Sequence, residues 1–475
     1  MRGYGTLQTL TALEVLVDEA AAGLPLDPIE FRRRNALKPG GRIMTGATYA
    51  VSVRTDEILN KLEAHPIWQR RADEKARAPA GMLVGTGVAC VTKDYGTGGD
   101  CSLGRVELTA DGRVSIQCDH VEMGNGIGTA LANRVAAHLG AVADEVTVAQ
   151  TGAYEALGLV TSGDPFSMDQ KTQDAAEKNP RWVPAISTAT SASIGAHVGT
   201  HAAAEAAKVI FRFGLWPAAL KLWGIPASDP RAKDFSKAQW RDGQLTLAGL
   251  APLSLPALAA TARARNYVTG AMTHSFCRWA WSRARFQLPG EQYVSDIDAL
   301  ALRRGGGKYE RFDRISVKMP PTNNNRIGVA FTSLCGTLVR VEIERATGAL
   351  RIAKAYSAFE CGQALVPEVV RGQAQGGFAM GVGYALLESL PPYEGGPGNG
   401  EWNLGQDLVA RGSDLPLRDL EIEILPPLPN EEPKGMAEVV MVPVVPALLN
   451  AIHDATGRRF QSLPVTQSLL KGALA

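Results

Sequence analysis

The stretch Val106–Leu139, VELTADGRVSIQCDHVEMGNGIGTALANRVAAHL, decides the fold class of this 475-residue chain. Apolar and polar residues alternate on both sides of Asp111-Gly112, and that combination is a signature of a β-hairpin. A glycine-rich turn, Met123–Gly126, follows the hairpin and leads into a helical pattern over residues 128–139. Strands that run through a glycine turn into a helix predict a mixed architecture of sheets and helices.

A second segment repeats this order of elements. It consists of strands at 339–343 and 350–356 around the turn Thr347-Gly348, and a helix at 367–387. The two segments look like a divergent internal repeat. Between them we expect a hydroxyl-rich helix at 191–211 and an irregular region at 212–330. We therefore predict an α+β fold with mixed sheets, hairpins and packed helices.

The first part of the chain is predicted to be helical and peripheral. An amphipathic helix is expected at 7–22, and Asp27-Pro28 then has the residue types of an N-cap and a first helical position. Strand patterns begin only near residue 85. We therefore expect residues 1–84 to be the tail of one domain whose beginning this chain lacks, and residues 85–475 to form a second domain.

The composition excludes several classes of protein. The 49 Lys and Arg residues nearly balance the 48 Asp and Glu residues, so no chain-wide basic surface for nucleic acid is expected. The uncharged stretches 182–204 and 244–262 are too polar or too rich in proline for a membrane span. Six cysteines without a CxxC pair do not suit a zinc ribbon or an iron–sulfur cluster. Buried, reduced thiols predict a reducing compartment, the cytoplasm, unless a partner's signal carries the chain to the periplasm.

Two familiar motifs are present only in part. Gly124-x-Gly126-x-Gly128 resembles a dinucleotide-binding loop, but the preceding strand, 114–120, is half polar and belongs to a hairpin. A parallel dinucleotide-binding strand would be continuously apolar. His197 and His201 share a helix face, but the pair lacks a third ligand. We therefore predict neither a nicotinamide site nor a protein-ligated metal.

The predicted helix at 367–387 carries an unusual number of glycines: Gly372, Gly376, Gly377, Gly381 and Gly383. Each interior glycine costs about 1 kcal/mol relative to alanine, so some interaction must offset the loss. Close packing of another backbone and a bulky ligand on the glycine face are equally good explanations. In the second case Gln373 could hydrogen-bond the ligand.

One carboxylate stands between a small-residue loop and an apolar run. Glu438 ends the segment Pro433–Glu438 and precedes Val439–Pro443. A carboxylate in such surroundings can accept a proton near neutral pH. From the residues alone, the favoured explanation is an acidic residue that stabilises the N-terminus of a helix.

Taken in order, these segments resemble the molybdenum hydroxylase family, the large subunits of xanthine dehydrogenase and aldehyde oxidase. The resemblance is carried by Arg2-Gly3-Tyr4-Gly5-x-x-Gln8, Asp27-Pro28-x-x-x-Arg32-x-x-Asn35, Glu122-Met123-Gly124-Asn125-Gly126-x-x-Thr129, Thr188-x-x-Ser191-Ala192-Ser193, Cys361-Gly362, Gly372-Gln373, Lys434-Gly435-x-x-Glu438 and Asn450–Arg459 with Leu463-Pro464. It spans the whole chain but corresponds only to the C-terminal half of such a subunit.

The resemblance implies a molybdenum–molybdopterin cofactor, in bacteria often in its cytosine dinucleotide form. The positions that match its contacts are Arg2, Gly124, Asn125, Gly126, Thr188, Ser191, Ser193 and Gln373. Tyr4 and Tyr95 match positions that shape the substrate pocket, and Glu438 matches the general base. In this family water supplies the oxygen that is added to an aldehyde or an N-heterocycle such as a purine. Asn125 stands where the family usually has glutamine, so its side chain is one methylene shorter.

The resemblance also implies partners. The N-terminal half of the large subunit would be a separate chain, and an iron–sulfur subunit would take the electrons. FAD or another acceptor would belong to a flavin or cytochrome subunit, and 2Fe-2S centres to partner chains only. Two functions remain open: part of a split catalytic subunit that acts on a small molecule, and a truncated or repurposed assembly subunit without catalysis.

Overall fold

The computed structural model describes residues 2–328, 331–389 and 408–475. Its helices are α1 Thr6–Gly23, α2 Pro28–Asn35, α3 Thr55–Ala64, α4 Pro66–Gln69, α5 Arg71–Ala76, α6 Ile127–Leu139, α7 Gln170–Ala176, α8 Thr200–Ile210, α9 Trp216–Leu222, α10 Leu255–Ala264, α11 Asn324–Ile327, α12 Pro367–Leu386, α13 Val444–Thr456 and α14 Gln467–Leu474. The strands are β1 Met82–Tyr95, β2 Asp100–Leu108, β3 Val114–Cys118, β4 Glu145–Thr147, β5 Gln239–Arg241, β6 Gln244–Thr246, β7 Leu253–Ser254, β8 Val268–Cys277, β9 Arg283–Leu288, β10 Glu291–Ser295, β11 Ala299–Arg304, β12 Tyr309–Phe312, β13 Arg314–Lys318, β14 Phe331–Glu344, β15 Leu350–Phe359 and β16 Leu420–Ile424.

The chain forms two compact units. Unit 1 comprises Met1–Met44, Val51–Tyr95 and Thr332–Ala475, and unit 2 comprises Thr45–Ala50 and Gly96–Phe331. Helices and mixed sheets occur in both, so the predicted α+β class is confirmed. Among the described residues, no helix combines the length and the apolar character that a membrane crossing requires.

Unit 1 is built on a four-stranded sheet in the order β1-β14-β15-β16. The hairpin β14/β15 is antiparallel, as the sequence predicts, and β16 pairs in parallel with β15. Helix α13 lies so close to β1 that a Cβ at Gly85 would stand 2.2 Å from the carbonyl oxygen of Ala451. The glycine in β1 is therefore required by the close approach of the helix.

Unit 2 is built on a six-stranded sheet in the order β12-β11-β8-β2-β3-β4. The predicted hairpin is present, with Val106 opposite Ile116 and Leu108 opposite Val114. The side chains of α6 and α8 pack with this hairpin in one apolar core. A second sheet, β10-β9-β13, contributes Ala284, Phe286 and Leu288 to the same core.

Two expectations for unit 2 were wrong. The region 212–330 is not irregular, because it supplies β8 and β11 to the main sheet. All ten residues of β8, VTGAMTHSFC, are buried, so its mixture of polar and apolar residues shows no alternation that sequence reasoning could detect. The helix predicted at 191–211 starts only at Gly195, because Ala192 and Ser193 have positive φ angles of 52° and 60°.

The prediction of buried, reduced thiols is confirmed for five of the six cysteines. All six are free thiols; five are buried, and Cys90 is partly buried. Burial raises the pKa of the Cys90 and Cys361 thiols to about 12, so both remain protonated at neutral pH.

Candidate functional site

Unit 1 holds the carboxylate of Glu438 in a buried polar contact. The backbone N–H of Gly3 donates a hydrogen bond of 3.1 Å to Oε1 of Glu438. The ammonium nitrogen of Lys93 lies 3.0 Å from Oε2, and the two side chains are only 7% and 8% exposed. Helix α13 begins at Val444 without a side-chain cap, so Glu438 does not serve as its N-cap. These contacts give the carboxylate a fixed orientation.

Arg2 connects the N-terminal turn to helix α12. Its guanidinium donates to the side-chain oxygen of Gln373 and, at 3.4 Å, to the backbone carbonyl of the same residue. Burial lowers the pKa of Arg2 from its ordinary value, and the negative charge of Glu438 opposes that shift. The structure therefore brings Arg2, Gln373 and Glu438 into one neighbourhood. Their roles toward a cofactor and a substrate stay predictions.

Lys93 is the contact of Glu438 that the sequence did not single out. It lies near the end of β1, where Val91, Lys93 and Tyr95 alternate with more exposed residues and are all buried. A lysine at an inward position of an otherwise apolar strand is the signal that could have revealed it, because a buried ammonium requires a partner. The identity of that partner depends on tertiary contacts.

The two tyrosines predicted at the substrate pocket differ in exposure. Tyr4 is 54% exposed, and Tyr95 is 1% exposed at the end of β1. Tyr4 is therefore open to a small molecule in this chain, whereas Tyr95 is part of the interior. Their roles toward a substrate remain predictions.

The segment that carries Glu438 is anchored by a second buried ion cluster. The ammonium of Lys434 lies 2.9 Å from Oε2 of Glu360 and 3.2 Å from Oε1 of Glu431, and it donates to Oγ of Ser52 at 2.7 Å. The side chains of Lys434 and Glu360 are 2% and 0% exposed. Burial raises the pKa of Glu360 although the charge of Lys434 opposes the shift.

The packing explanation for the glycines of α12 is confirmed toward the C-terminal end of the helix, and the ligand explanation stays a prediction for its first turns. A Cβ at Gly377 or Gly381 would stand 2.8 Å from Val440 or 2.7 Å from Val444, so those glycines permit close packing. A Cβ at Gly372 would meet nothing within 4 Å. A Cβ at Gly376 would meet only Arg2, at 3.7 Å. The first turns of the helix thus have an open glycine face beside Gln373.

In unit 2 the backbone of the glycine turn 123–126 surrounds the carboxylate of Glu122. Glu122 accepts backbone hydrogen bonds from Gly124 at 2.8 Å, Gly126 at 3.0 Å and Gly128 at 3.4 Å. Partial burial of Glu122 opposes the effect, but these N–H groups lower the pKa of its carboxyl. Oδ1 of Asn125 accepts the N–H of Ile127 at 3.1 Å, at the start of α6. Four hydrogen bonds therefore hold the turn, while a Cβ at Gly124 or Gly128 would meet nothing within 4 Å.

The hydroxyl-rich loop of unit 2 is fastened beside this turn. Oγ of Ser187 donates to Asp119 at 2.7 Å, and Oγ1 of Thr190 accepts the N–H of Val121 at 3.1 Å. These bonds hold the segment that carries the predicted contacts Thr188, Ser191 and Ser193. Residues 191–193 lie in irregular backbone before the helix.

His197 and His201 pack against an aromatic ring. His201 stacks on Trp281 with ring centroids 3.7 Å apart, and its Nε2 lies 2.8 Å from the carbonyl oxygen of Asp296. His197 lies 5.4 Å from the same indole ring. In the described part of the chain, no group of three or more His, Cys, Asp or Glu residues is arranged to hold a metal ion.

Comparison with known proteins identifies the family. A family model described as a molybdopterin cofactor-binding domain matches residues 61–159 and 176–397, and a second model with the same description matches residues 1–36. The chain belongs to this molybdopterin cofactor-binding family, which is that of the molybdenum hydroxylase large subunits.

Individual relatives cover the whole chain. It is 24% identical over 482 residues to a probable xanthine dehydrogenase subunit of Bacillus subtilis (strain 168), covering 100% of this chain and 52% of that protein. It is 24% identical over 470 residues to the aldehyde oxidoreductase molybdenum-binding subunit PaoC of Escherichia coli (strain K12), covering 98% and 51%. Quinoline 2-oxidoreductase from Pseudomonas putida 86 has the same fold, with a TM-score of 0.66 at 21% identity, covering 98% and 51%. The chain thus spans about half the length of the relatives it matches.

The residues at the predicted contact positions suit a molybdopterin. Gly128 and Gly372 are helical positions with open space where a Cβ would stand, so packing within the chain does not explain those glycines. The available donors are a guanidinium, an amide and hydroxyl groups, which are the groups that bind polar and anionic ligands in proteins. A cofactor that brings its own sulfur ligands to the metal needs no cluster of protein ligands.

Proposed function

We propose that this chain is part of a molybdopterin-dependent oxidoreductase that hydroxylates an aldehyde or an N-heterocyclic, purine-like substrate with water as the oxygen source. One observation carries the proposal: a buried carboxylate, Glu438, is held in a fixed orientation in the same neighbourhood as Arg2 and Gln373. The names of the relatives, xanthine dehydrogenase and aldehyde oxidoreductase, support the two substrate classes.

The residues of the chain have separate tasks in this proposal. When bound, the cofactor supplies the two-electron oxidation of the substrate carbon. In unit 1, Arg2 and Gln373 hold polar groups of the cofactor at the open glycine face of α12. Glu438 accepts a proton from the water-derived oxygen, as a general base.

In unit 2, the glycine turn and the hydroxyl-rich loop are proposed as further contacts of the cofactor. They contribute Gly124, Asn125, Gly126, Thr188, Ser191 and Ser193. The hydrogen bonds that hold the turn and the open space at Gly124 support this role. The cytosine dinucleotide form of the cofactor, whose phosphates the hydroxyls would bind, is part of the proposal.

The assembly and the domain division are also proposals. We propose that residues 1–84 belong to a first cofactor-binding domain and residues 85–475 to a second. The matches of the two family models, which begin at residues 1 and 61, support a division of this kind. We propose as partners the N-terminal half of the large subunit, an iron–sulfur subunit with 2Fe-2S centres, and a flavin or cytochrome subunit that passes electrons to FAD or another acceptor.

One observation favours the second candidate, a repurposed subunit without catalysis. Oε2 of Glu438 already faces the ammonium of Lys93. A carboxylate paired with a cation is a weaker base than an unpaired one in the same place. In this alternative Glu438 and Lys93 only hold β1 and the 433–438 segment together.

The substitution Glu438→Gln in the assembled complex separates the candidates. Glutamine keeps the shape and accepts a hydrogen bond from Gly3, but it cannot take up the proton. We expect the rate of substrate-driven reduction to fall by about 10²–10⁴-fold at unchanged molybdenum and pterin content. Glu421→Gln, at an exposed position of β16, is the matched control. Equal rates for native and Glu438→Gln complexes, at equal loading, would support the non-catalytic subunit.

A further inference from the structure

Helix α1 of unit 1 presents an apolar face to the solvent. Leu13, Leu16 and, just past the C-terminal end of the helix, Leu24 are 50%, 59% and 60% exposed. Their spacing places them on one side of the helix together with the exposed Ala20. These four residues form the leucine face of α1. At the exposed positions of α1, all of which the structure describes, Glu19 is the one charged residue.

The inward side of α1 is held largely by polar contacts. The buried carboxylate of Glu14 lies 2.9 Å from Nε of Arg32 on α2, and it accepts the N–H of Cys90 on β1 at 2.8 Å. Two of the four buried residues of α1, Thr11 and Glu14, are polar. A surface helix normally turns its apolar side toward the core of its own domain. The leucine face is therefore apolar surface that unit 1 itself does not use.

Two kinds of occupant fit this face poorly. Helices that lie on a membrane surface carry Lys and Arg on their polar side, and the sequence of α1 contains neither. A second copy of the chain would need more area, because a standard interface buries about 800 Å² per partner and three half-exposed leucines supply only part of that. The face therefore suits one contact within a larger interface with a different protein.

The family matches indicate which protein that is. The model that matches residues 1–36, and with them α1 and α2, is separate from the model that matches residues 61–159 and 176–397. The chain spans about half the length of the relatives that match it from end to end. Both facts favour a partner that corresponds to the other half of those relatives.

We propose that the leucine face of α1 is the surface on which the N-terminal half of the large subunit docks, through an apolar face of its own. The inference rests on the proposed assembly and is independent of catalysis by Glu438. Burial by that partner explains why α1 keeps leucines on its outer side. Because α1 begins three residues after Gly3, whose N–H donates to Glu438, a partner on α1 also adjoins the turn of the candidate site.

A thiol in place of Leu16 reports whether the face is covered. All six native cysteines are buried or partly buried, so the new thiol of Leu16→Cys is the accessible one. Leu469→Cys, at a 41% exposed position of α14, is the matched control. The rate of alkylation by a maleimide is compared between the full chain alone and the assembled complex from its native source. We expect Leu16→Cys to react at least tenfold more slowly in the complex and Leu469→Cys to react equally in both. Equal rates for Leu16→Cys would overturn the inference.

A photo-crosslinking amino acid in place of Leu13 identifies the occupant. In the assembled complex we expect crosslinks to a chain that corresponds to the half of the relatives that this chain does not span. Crosslinks to a second copy of this chain or to an iron–sulfur subunit would overturn the inference, as would a complex that contains no chain of the expected kind. Binding to phosphatidylglycerol vesicles that Leu13→Ser abolishes would assign the face to a membrane instead.

The outcomes are distinguishable from those for the proposed chemistry. If Glu438→Gln retains native turnover while Leu16→Cys is protected in the complex, the general base fails and the docking surface stands. If Glu438→Gln is inactive while Leu16→Cys reacts as fast in the complex as in the chain alone, only the docking surface fails.

Discussion

Replacing Lys434 by methionine tests whether the buried cluster beneath the 433–438 segment stabilises unit 1. The substitution keeps the length of the side chain and removes the ammonium that lies 2.9 Å from Oε2 of Glu360. Glu360 is fully buried, so its carboxylate would remain without that counter-charge inside the protein. Glu431 is less affected, because it retains its contacts with Ser52 and with the N–H of Leu428.

The expected loss in the free energy of unfolding follows from the two protonation states that are open to Glu360. Breaking a buried ion pair from one side costs about 3–5 kcal/mol. Alternatively, the carboxyl of Glu360 can take up a proton and become neutral. At pH 7 this costs about 1.4 kcal/mol for each pH unit above the ordinary carboxyl pKa near 4.3, which is about 3.7 kcal/mol in total. We therefore expect a loss of about 3–4 kcal/mol at pH 7 and of about 1 kcal/mol at pH 5.

The sign of the pH dependence is part of the prediction. Burial already raises the pKa of Glu360, and removal of Lys434 removes the charge that opposes the rise. A carboxyl whose pKa is higher in the folded state binds more protons in the folded protein than in the unfolded one. The stability of the fold therefore decreases as the pH rises from the pKa of the unfolded state to that of the folded state. The double variant Lys434→Met/Glu360→Gln should lose this pH dependence and recover up to about 3 kcal/mol at pH 7.

Hydrogen exchange of peptides from β14 and β15 in the full chain measures the stability of unit 1 itself. Lys61→Met is the matched control, because its ion pair with Glu423 is 46% and 36% exposed and should contribute less than about 1 kcal/mol. An equal loss of protection for Lys434→Met at pH 5 and pH 7 would refute the electrostatic reasoning. No recovery in the double variant would refute it independently.

Two further predictions concern the glycines and the histidines. Gly372→Ala should stabilise the protein by up to about 1 kcal/mol, because a Cβ there meets nothing, but it should reduce molybdopterin retention in the assembled complex. Gly381→Ala, whose Cβ would stand 2.7 Å from Val444, should cost about 1–3 kcal/mol in thermal or urea unfolding. Equal cofactor content in native and Gly372→Ala complexes would contradict the ligand explanation. His201→Ala should cost stability, because it removes the stacking on Trp281, without changing bound metal as measured by elemental analysis, and loss of a metal on mutation would contradict the packing role.

Local patterns predicted the elements of the fold well, because local interactions form them. The helix expected at 7–22 is α1, Asp27 accepts the N–H groups of Ile29 and Glu30 as an N-cap, and the turn at Asp111-Gly112 joins β2 and β3. The prediction from sequence failed where a strand is buried on both faces, because such a strand lacks the alternation of polar and apolar residues. Strand β8 is covered on both faces, so its Thr, His and Ser residues look like a loop although they lie in the interior of unit 2.

The same distinction between local and long-range interactions explains which residues of the candidate site could be predicted. Arg2, Gln373 and Glu438 lie in motifs with a recognisable local sequence, and the structure brings them together in unit 1. Lys93 belongs to no motif, and its meaning depends on β1 ending beside the 433–438 segment, a contact between residues 345 positions apart in the sequence. A general base needs surroundings that adjust its pKa to the reaction, so the presence of a carboxylate alone is not enough. One ionic contact of Glu438 is therefore made by a residue that no local motif could identify.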